Sequence, residues 1–278
     1  MSVLFLADFY SDQINGGGET NDAVLIDYLR SQEIEIVLGQ TQHITPADLD
    51  AQDTIIVSNF VLLSPSNKQH LVNNCDYIIY EHDHKYVKTR DPSKFSNFDI
   101  TPNALVNVEL YQKARAVVVL SQICKDIMEK NLGNTNVHSI GSSLWSKAKI
   151  EFLRTCNKEK TKEYAVVDSS NPTKGRQSAI EFCRRKGIEF DLIASDDQYE
   201  FLGLLTQYKT LIFVPQVLET FCRLVAEAKM LECNVYTNKT LIGMMSEPYG
   251  ELSGNALIDV LEGKVSEALT YFYGLVAA

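Results

Sequence analysis

Glu219 and Glu227 stand eight residues apart in PQVLETFCRLVAEAKMLECNV (215–235), just behind the apolar run LIFVP, with Arg223 midway between them. If LIFVP is a buried strand and LVAEAKML a helix, Glu219 lies on the connection and Glu227 in the first helical turns. Eight helical residues would span about 12 Å and leave the two carboxylates on related faces. That reach suits a long polar ligand better than one reacting atom. Arg223, four residues from each acid, has the spacing of a helix-face ion pair and equally that of a phosphate contact. Cys222 reads as a small core-facing thiol, since no histidine lies near it in sequence to activate it.

Three further clusters carry chemistry. Gly16, Gly17 and Gly18 follow the first apolar run and precede a helix beginning near Glu19, where the missing Cβ atoms let backbone N–H groups approach a phosphate or sugar. NGGGET lacks the last glycine of a dinucleotide fingerprint, and the chain has no G-x-x-x-x-G-K-[ST] loop. In YEHDHKYVKTRDP (80–92), Glu81, His82, Asp83 and His84 are metal-ligand types, but strand alternation would send the histidines one way and the acids the other. A sugar-contacting or acid–base role for His82 or Asp83 is the better reading, with Lys85, Lys88 and Arg90 as a small positive patch. SSNPTKGR (169–176) places Lys174 and Arg176 just beyond another predicted strand, either able to neutralise a diphosphate.

The elements that must position these residues alternate. VLFLADF, IEIVLG, TIIVSN, YIIYEH and AVVVLS read as buried strands, and ETNDAVLIDYLRSQ, NVELYQKARA and SQICKDIMEKN as helices. The polar stretch KAKIEFLRTCNKEKTKE marks a boundary near residue 158, after which YAVVDSS, QSAIEFCRRKG, IEFDLIAS, YEFLGLLTQY and TLIFVP restart the cycle. The expectation is an α/β protein of two domains, 1–158 and 159–278, with ligand at the carboxyl ends of parallel strands. NALIDVLEGKVSEALTYFYGLVAA forms a terminal helix that packs back across one or both domains.

Composition narrows the partners. The 278 residues carry 36 acids against 26 bases, a formal charge of −10, so long nucleic acid is expected to be disfavoured, though not excluded. Six cysteines without a C-x-x-C pair read as reduced thiols in a cytoplasmic protein. No run of eighteen apolar residues offers a membrane span, and MSVLFLADFY is too short for a signal peptide, which leaves peripheral membrane contact.

On these residues the chain resembles the retaining glycosyltransferases of the GT-B fold, the group with sucrose synthase, glycogen synthase and lipopolysaccharide glycosyltransferases. VPQVLETFCRLVAEAKMLECNVYT is similar to that group's P-S-x-x-E-x-F-G-x-x-x-x-E-A-x-x-x-G-x-P-V segment, and NGGGE, EHD, AVVVLSQ, VHSIGSS and Lys174-Gly175 follow in the expected order. The pattern's glycines are replaced by Cys222 after Phe221 and within Glu232-Cys233-Asn234, and the arginine that often precedes the phosphate lysine is missing, with Arg176 on the other side.

The resemblance implies two Rossmann-like domains facing each other across a cleft, the first on the acceptor side and the second on the donor side. It implies transfer of a sugar from a nucleoside diphosphate sugar to a hydroxyl, with retention, no metal and no cofactor. Glu219 would contact the donor sugar near the reacting centre, Glu227 the ribose hydroxyls, and Lys174 the diphosphate, with Arg176, Arg223, Thr220 and Phe221 completing the donor site. Gly17 and Gly18 would bring amides to the donor, and His82 would lie near the transferred sugar. Asp83, Lys85 and Ser121 would line the acceptor side. An epimerase of the same fold and a noncatalytic nucleotide-sugar binding module are the alternatives.

Overall fold

The computed structural model describes residues 2–133, 136–156 and 159–277. Two compact units emerge, one formed by Met1–Trp145 with Lys264–Ala278 and the other by Ser146–Gly263. The boundary expected near residue 158 falls outside the described residues; the units part at Trp145/Ser146. KAKIEFLRT within the stretch read as linker is a helix, because Ser146 caps it by accepting the Lys149 N–H at 3.2 Å and Ile150 and Leu153 share its buried face.

In the first unit β1 (Ser2–Ala7), α1 (Gly17–Ser31), β2 (Glu35–Gln40), α2 (Pro46–Asp50), β3 (Thr54–Val57), α3 (Pro65–Asn74), β4 (Tyr77–Tyr80), α4 (Val108–Lys113), β5 (Ala116–Val119), α5 (Gln122–Leu132) and β6 (Val137–Ser139) follow one another. The sheet is parallel, in the order β2-β1-β3-β4-β5-β6. TIIV, YIIY and AVVV are buried along their whole length, as parallel strands covered on both faces require, whereas β2 is the half-exposed edge. In register, Phe5 lies between Leu38 and Ile56. The strand order reverses at β1, and the segments leaving β1 and β3 meet beyond the strand ends, where the Asp8 N–H donates to the Asn59 carbonyl at 2.9 Å and the Asp8 carboxylate accepts from the N–H groups of Val61 and Leu62 at 2.8 and 3.0 Å.

The second unit runs through α6 (Lys147–Thr155), β7 (Lys162–Val167), α7 (Arg176–Lys186), β8 (Asp191–Ile193), α8 (Gln198–Leu205), β9 (Tyr208–Ile212), α9 (Arg223–Met230) and β10 (Asn234–Tyr236). Its parallel sheet has the order β10-β9-β7-β8, with the reversal between β7 and β9. Val166 and Ile212 from these neighbouring strands pack with Ala179, Ile180 and Cys183 of α7.

The terminal helix α10 (Gly254–Ala277) belongs to the second unit in its first turns and to the first unit thereafter. Arg154 of α6 binds Asp259 and Glu262 at 2.7 and 3.1 Å, while Tyr271 stacks on His138 and Phe272 meets Tyr80 edge-on. No helix of the described residues is long and apolar enough to cross a membrane. All six cysteines are free, four of them buried.

Candidate functional site

Lys174 and Glu219 come from the loops that leave β7 and β9, adjacent strands at the reversal of the second sheet. The Lys174 ammonium lies 2.9 and 3.1 Å from the two Glu219 carboxylate oxygens. Both loops are fixed before any ligand arrives. The Gln216 N–H donates to the Thr173 carbonyl at 2.8 Å, and a Cβ on Gly175 would sit 1.7 Å from the Val214 carbonyl oxygen. Gly175 also has φ +67°, so only glycine lets the loops approach this closely. Glu219 is clamped from its other side, donating its N–H to the Leu241 carbonyl and accepting from Gly243, each at 2.9 Å.

Glu219 therefore stands on an extended connection outside α9, and the helical spacing anticipated between it and Glu227 does not apply. The acids have separate cations, Lys174 for Glu219 and Arg223, at 3.5 Å, for Glu227. Burial is the largest influence and works against the Lys174 charge, but Glu219 and Cys222 together raise the pKa above the ordinary lysine value. Its side chain keeps 39 % of its exposure against 13 % for Glu219, so the ammonium has room for a second anionic partner. Phe221 is buried as an anchor and Thr220 half-buried. Burial and then Glu219 push the Cys222 thiol far up, in keeping with an inert core thiol. Arg176 is turned to Asp168 at the end of β7, 2.5 Å away, rather than to Lys174's carboxylate partner.

In the first unit α1 starts at Gly17, with Gly16 as its N-cap and no side-chain cap bond. A Cβ on Gly18 would lie 3.3 Å from Asn59 and 3.4 Å from the His82 ring, so the helix start lies tight against both. His82 Nε2 meets Asp22 Oδ1 at 2.9 Å, and the other Asp22 oxygen accepts from Ser58 at 2.6 Å. Asp22, fully buried, thereby orients the imidazole. Asp22 went unrecognised in the sequence although it precedes Leu25, Ile26 and Leu29 at 3, 4 and 7 residues, the spacing of one buried face.

β4 ends at Tyr80, so strand alternation does not govern residues 81–84. His82 faces Asp22, whereas His84 faces the Tyr86 hydroxyl at 3.1 Å and the Cys124 sulfur at 3.8 Å. Burial brings the His84 pKa down to about 4. Among the described residues the side chains close enough to share a metal are Asp50, His70 and Cys75, not this cluster. Lys85 does not join a surface patch. It is enclosed, with its ammonium 2.8 Å from Glu81 and 2.7 Å from Asp83, and Tyr111 closes on Glu81 from the other side. The patch reduces to Lys88 and Arg90. Although burial would raise the Asp83 pKa, Lys85 and Arg90 hold it at about 2. Asp83 is thus a fixed anion at neutral pH, not a proton donor. Ser121, also fully buried, occupies the N-cap position of α5, where its hydroxyl makes no cap bond to the backbone and donates instead to the Cys124 sulfur at 3.2 Å.

One charged group near Glu227 was also missed. Lys149 of α6 is 4 % exposed, with its ammonium 4.3 Å from the Tyr199 ring centroid and 3.4 Å from Gln198 Oε1. Its signal was a lysine three residues after a serine N-cap, where acids are favoured.

No family model matches the chain, and no curated protein matches it. Solved structures do. HepE from Anabaena in complex with UDP-glucose is 14 % identical, with 96 % of this chain and 90 % of that chain covered and a TM-score of 0.53. HepE in complex with UDP gives 14 %, 96 %, 91 % and 0.50. An α-glucosyltransferase in complex with UDP-glucose and DNA containing an abasic site gives 12 %, 96 %, 94 % and 0.49. The expectation that long nucleic acid is disfavoured does not stand, because net charge sums the whole surface and does not decide what a local surface binds. In its two parallel, Rossmann-like units and its terminal helix, the chain has the GT-B fold of nucleotide-sugar-dependent glycosyltransferases.

Proposed function

We propose that the protein is a retaining, metal-independent glycosyltransferase that moves a sugar from a nucleoside diphosphate sugar to a hydroxyl acceptor. The observation that carries this reading is the Lys174–Glu219 pair at 2.9 Å on adjoining strand ends, with Glu227 on the helix that follows. A cation poised for a leaving diphosphate, an acid for sugar hydroxyls and a second acid for ribose make a complete donor site. The UDP and UDP-glucose held by HepE support a nucleotide donor of this kind.

In this reading the bond between the anomeric carbon and the diphosphate oxygen breaks as positive character grows on the sugar and negative charge on the leaving group. Lys174 stabilises that charge, with Arg223 as a supplement, and Arg176 contributes only on release from Asp168. The acceptor oxygen bonds to the anomeric carbon on the face the diphosphate leaves, and its proton passes to the departing phosphate oxygen. Glu219 orients the sugar, and Thr220 and Phe221 hold the loop that carries it. Gly17 and Gly18 offer backbone amides, and His82, fixed by Asp22, contacts the transferred sugar. Asp83 faces the acceptor, while Lys85 and Ser121, being enclosed, support that side through Glu81, Asp83 and Cys124. The six free cysteines support a cytoplasmic setting.

The test is nucleotide release from a panel of nucleoside diphosphate sugars in the presence of a chelator, with wild type, Glu219→Gln and Glu227→Ala. The reading predicts release from one donor, insensitive to chelator, and loss in both variants. Saturable binding with no release under any acceptor would favour the noncatalytic module. No binding across the panel would overturn the donor site.

A further inference from the structure

Lys149 is placed where an ammonium is poorly supported. It occupies the first turn of α6, so its charge opposes the helix dipole. It is 4 % exposed and makes no ion pair among the described residues; its hydrogen bond to Gln198 is long, at 3.4 Å, and the Tyr199 ring lies 4.3 Å away. Burial lowers its pKa, and Glu227 and Asp197 attract it while Arg223 repels it. A buried ammonium has three donors to satisfy, and a single long bond leaves that demand largely unmet. α6 and α8, which carry Lys149 and Gln198, both pack against α9, which carries Glu227.

From this placement we infer that Lys149, with Gln198 and Tyr199 beside it, reads the base of the donor nucleotide and selects bases with a carbonyl at pyrimidine C4 or purine C6, uracil or guanine, over cytosine and adenine, which carry an amino group there. The inference rests on the donor-site reading, in which Glu227 holds the ribose hydroxyls and the base, one sugar ring away, falls beside α6 and α8. An ammonium only donates hydrogen bonds. It meets a carbonyl oxygen as donor to acceptor, but it meets the exocyclic amino group of cytosine or adenine as donor to donor. Tyr199, 42 % exposed, supplies an aromatic surface against which a base can lie.

The test is calorimetric binding of UDP, GDP, CDP and ADP to wild type, Lys149→Met and Lys149→Gln, with circular dichroism to verify folding. Wild type should prefer UDP or GDP. Lys149→Met should weaken the preferred nucleotide by about tenfold or more and CDP by less than about threefold. Lys149→Gln, which can both donate and accept, should narrow the gap by raising CDP relative to UDP. An unchanged ranking and ratio in the variants, or an equal loss for every nucleotide, would overturn the inference while leaving the donor site standing. Failure of wild type to bind any of the four would overturn the donor site itself.

Discussion

Replacing Lys174 by methionine separates its two partners, the carboxylate beside it and the diphosphate it is proposed to meet. At about 3 Å and an effective dielectric of about 20, the Coulomb attraction to Glu219 is roughly 5 kcal/mol before any desolvation is subtracted. Lys174 is more than a third exposed, so solvent screening and the desolvation of both groups leave a net contribution to folding of about 1–2 kcal/mol. A charge-assisted hydrogen bond to the diphosphate is worth about 1.5–3 kcal/mol, or about 10- to 150-fold in affinity. Calorimetry with UDP and with uridine isolates that part, because uridine has no phosphate. Lys174→Met should weaken UDP by that factor and uridine by less than about threefold. Glu219→Gln should act oppositely, freeing the ammonium, so that UDP binds at least as well as to wild type while the advantage of UDP-glucose over UDP shrinks. Loss of UDP and uridine binding in equal measure in Lys174→Met would refute the reasoning and leave the pair as a structural clamp.

Three other outcomes follow from the geometry. Gly175→Ala should destabilise the fold by about 3 kcal/mol or more, since a left-handed φ and a clash with Val214 coincide, whereas Gly133→Ala, left-handed with open space around it, should cost about 1 kcal/mol; urea unfolding distinguishes them. His84 is held neutral by burial, with a pKa of about 4 against an ordinary 6.5, so the unfolded chain takes up a proton that the folded chain refuses. Stability should therefore fall as the pH drops from 6.5 towards 4, by about 2 kcal/mol between pH 6.5 and 5, and His84→Gln should flatten that slope in pH-dependent denaturation. Glu232 is exposed at φ +55°, so Glu232→Gly should raise the urea midpoint, by about 1 kcal/mol in stability.

Glu232 and Cys222 also show what the sequence could and could not disclose. Both stand where the resembled pattern has glycine, and in residue types alone the substitutions read as departures from a donor site. The backbone keeps the glycine-like path, with φ +55° and +75°, so the turn into α9 and the turn out of it survive. The parallel strands were legible because burial on both faces leaves runs such as TIIV and AVVV with no polar position. α6 was hidden because its exposed face is charged and only Ile150 and Leu153 mark its buried side. Lys85 reads as part of a solvated charge run. Its enclosure depends on Glu81 folding back and on Tyr111, thirty residues beyond Glu81, neither of which local spacing reveals. Lys174 and Glu219, forty-five residues apart, were each singled out from their loops, but their pairing required the strand order that sets β7 beside β9.

The most direct test of the donor site is a crystal structure of the protein with UDP. The account predicts the ribose hydroxyls within hydrogen-bond distance of Glu227, the diphosphate at Lys174 and the base beside Lys149. UDP bound in any other place, or no UDP at saturating concentration, would contradict it.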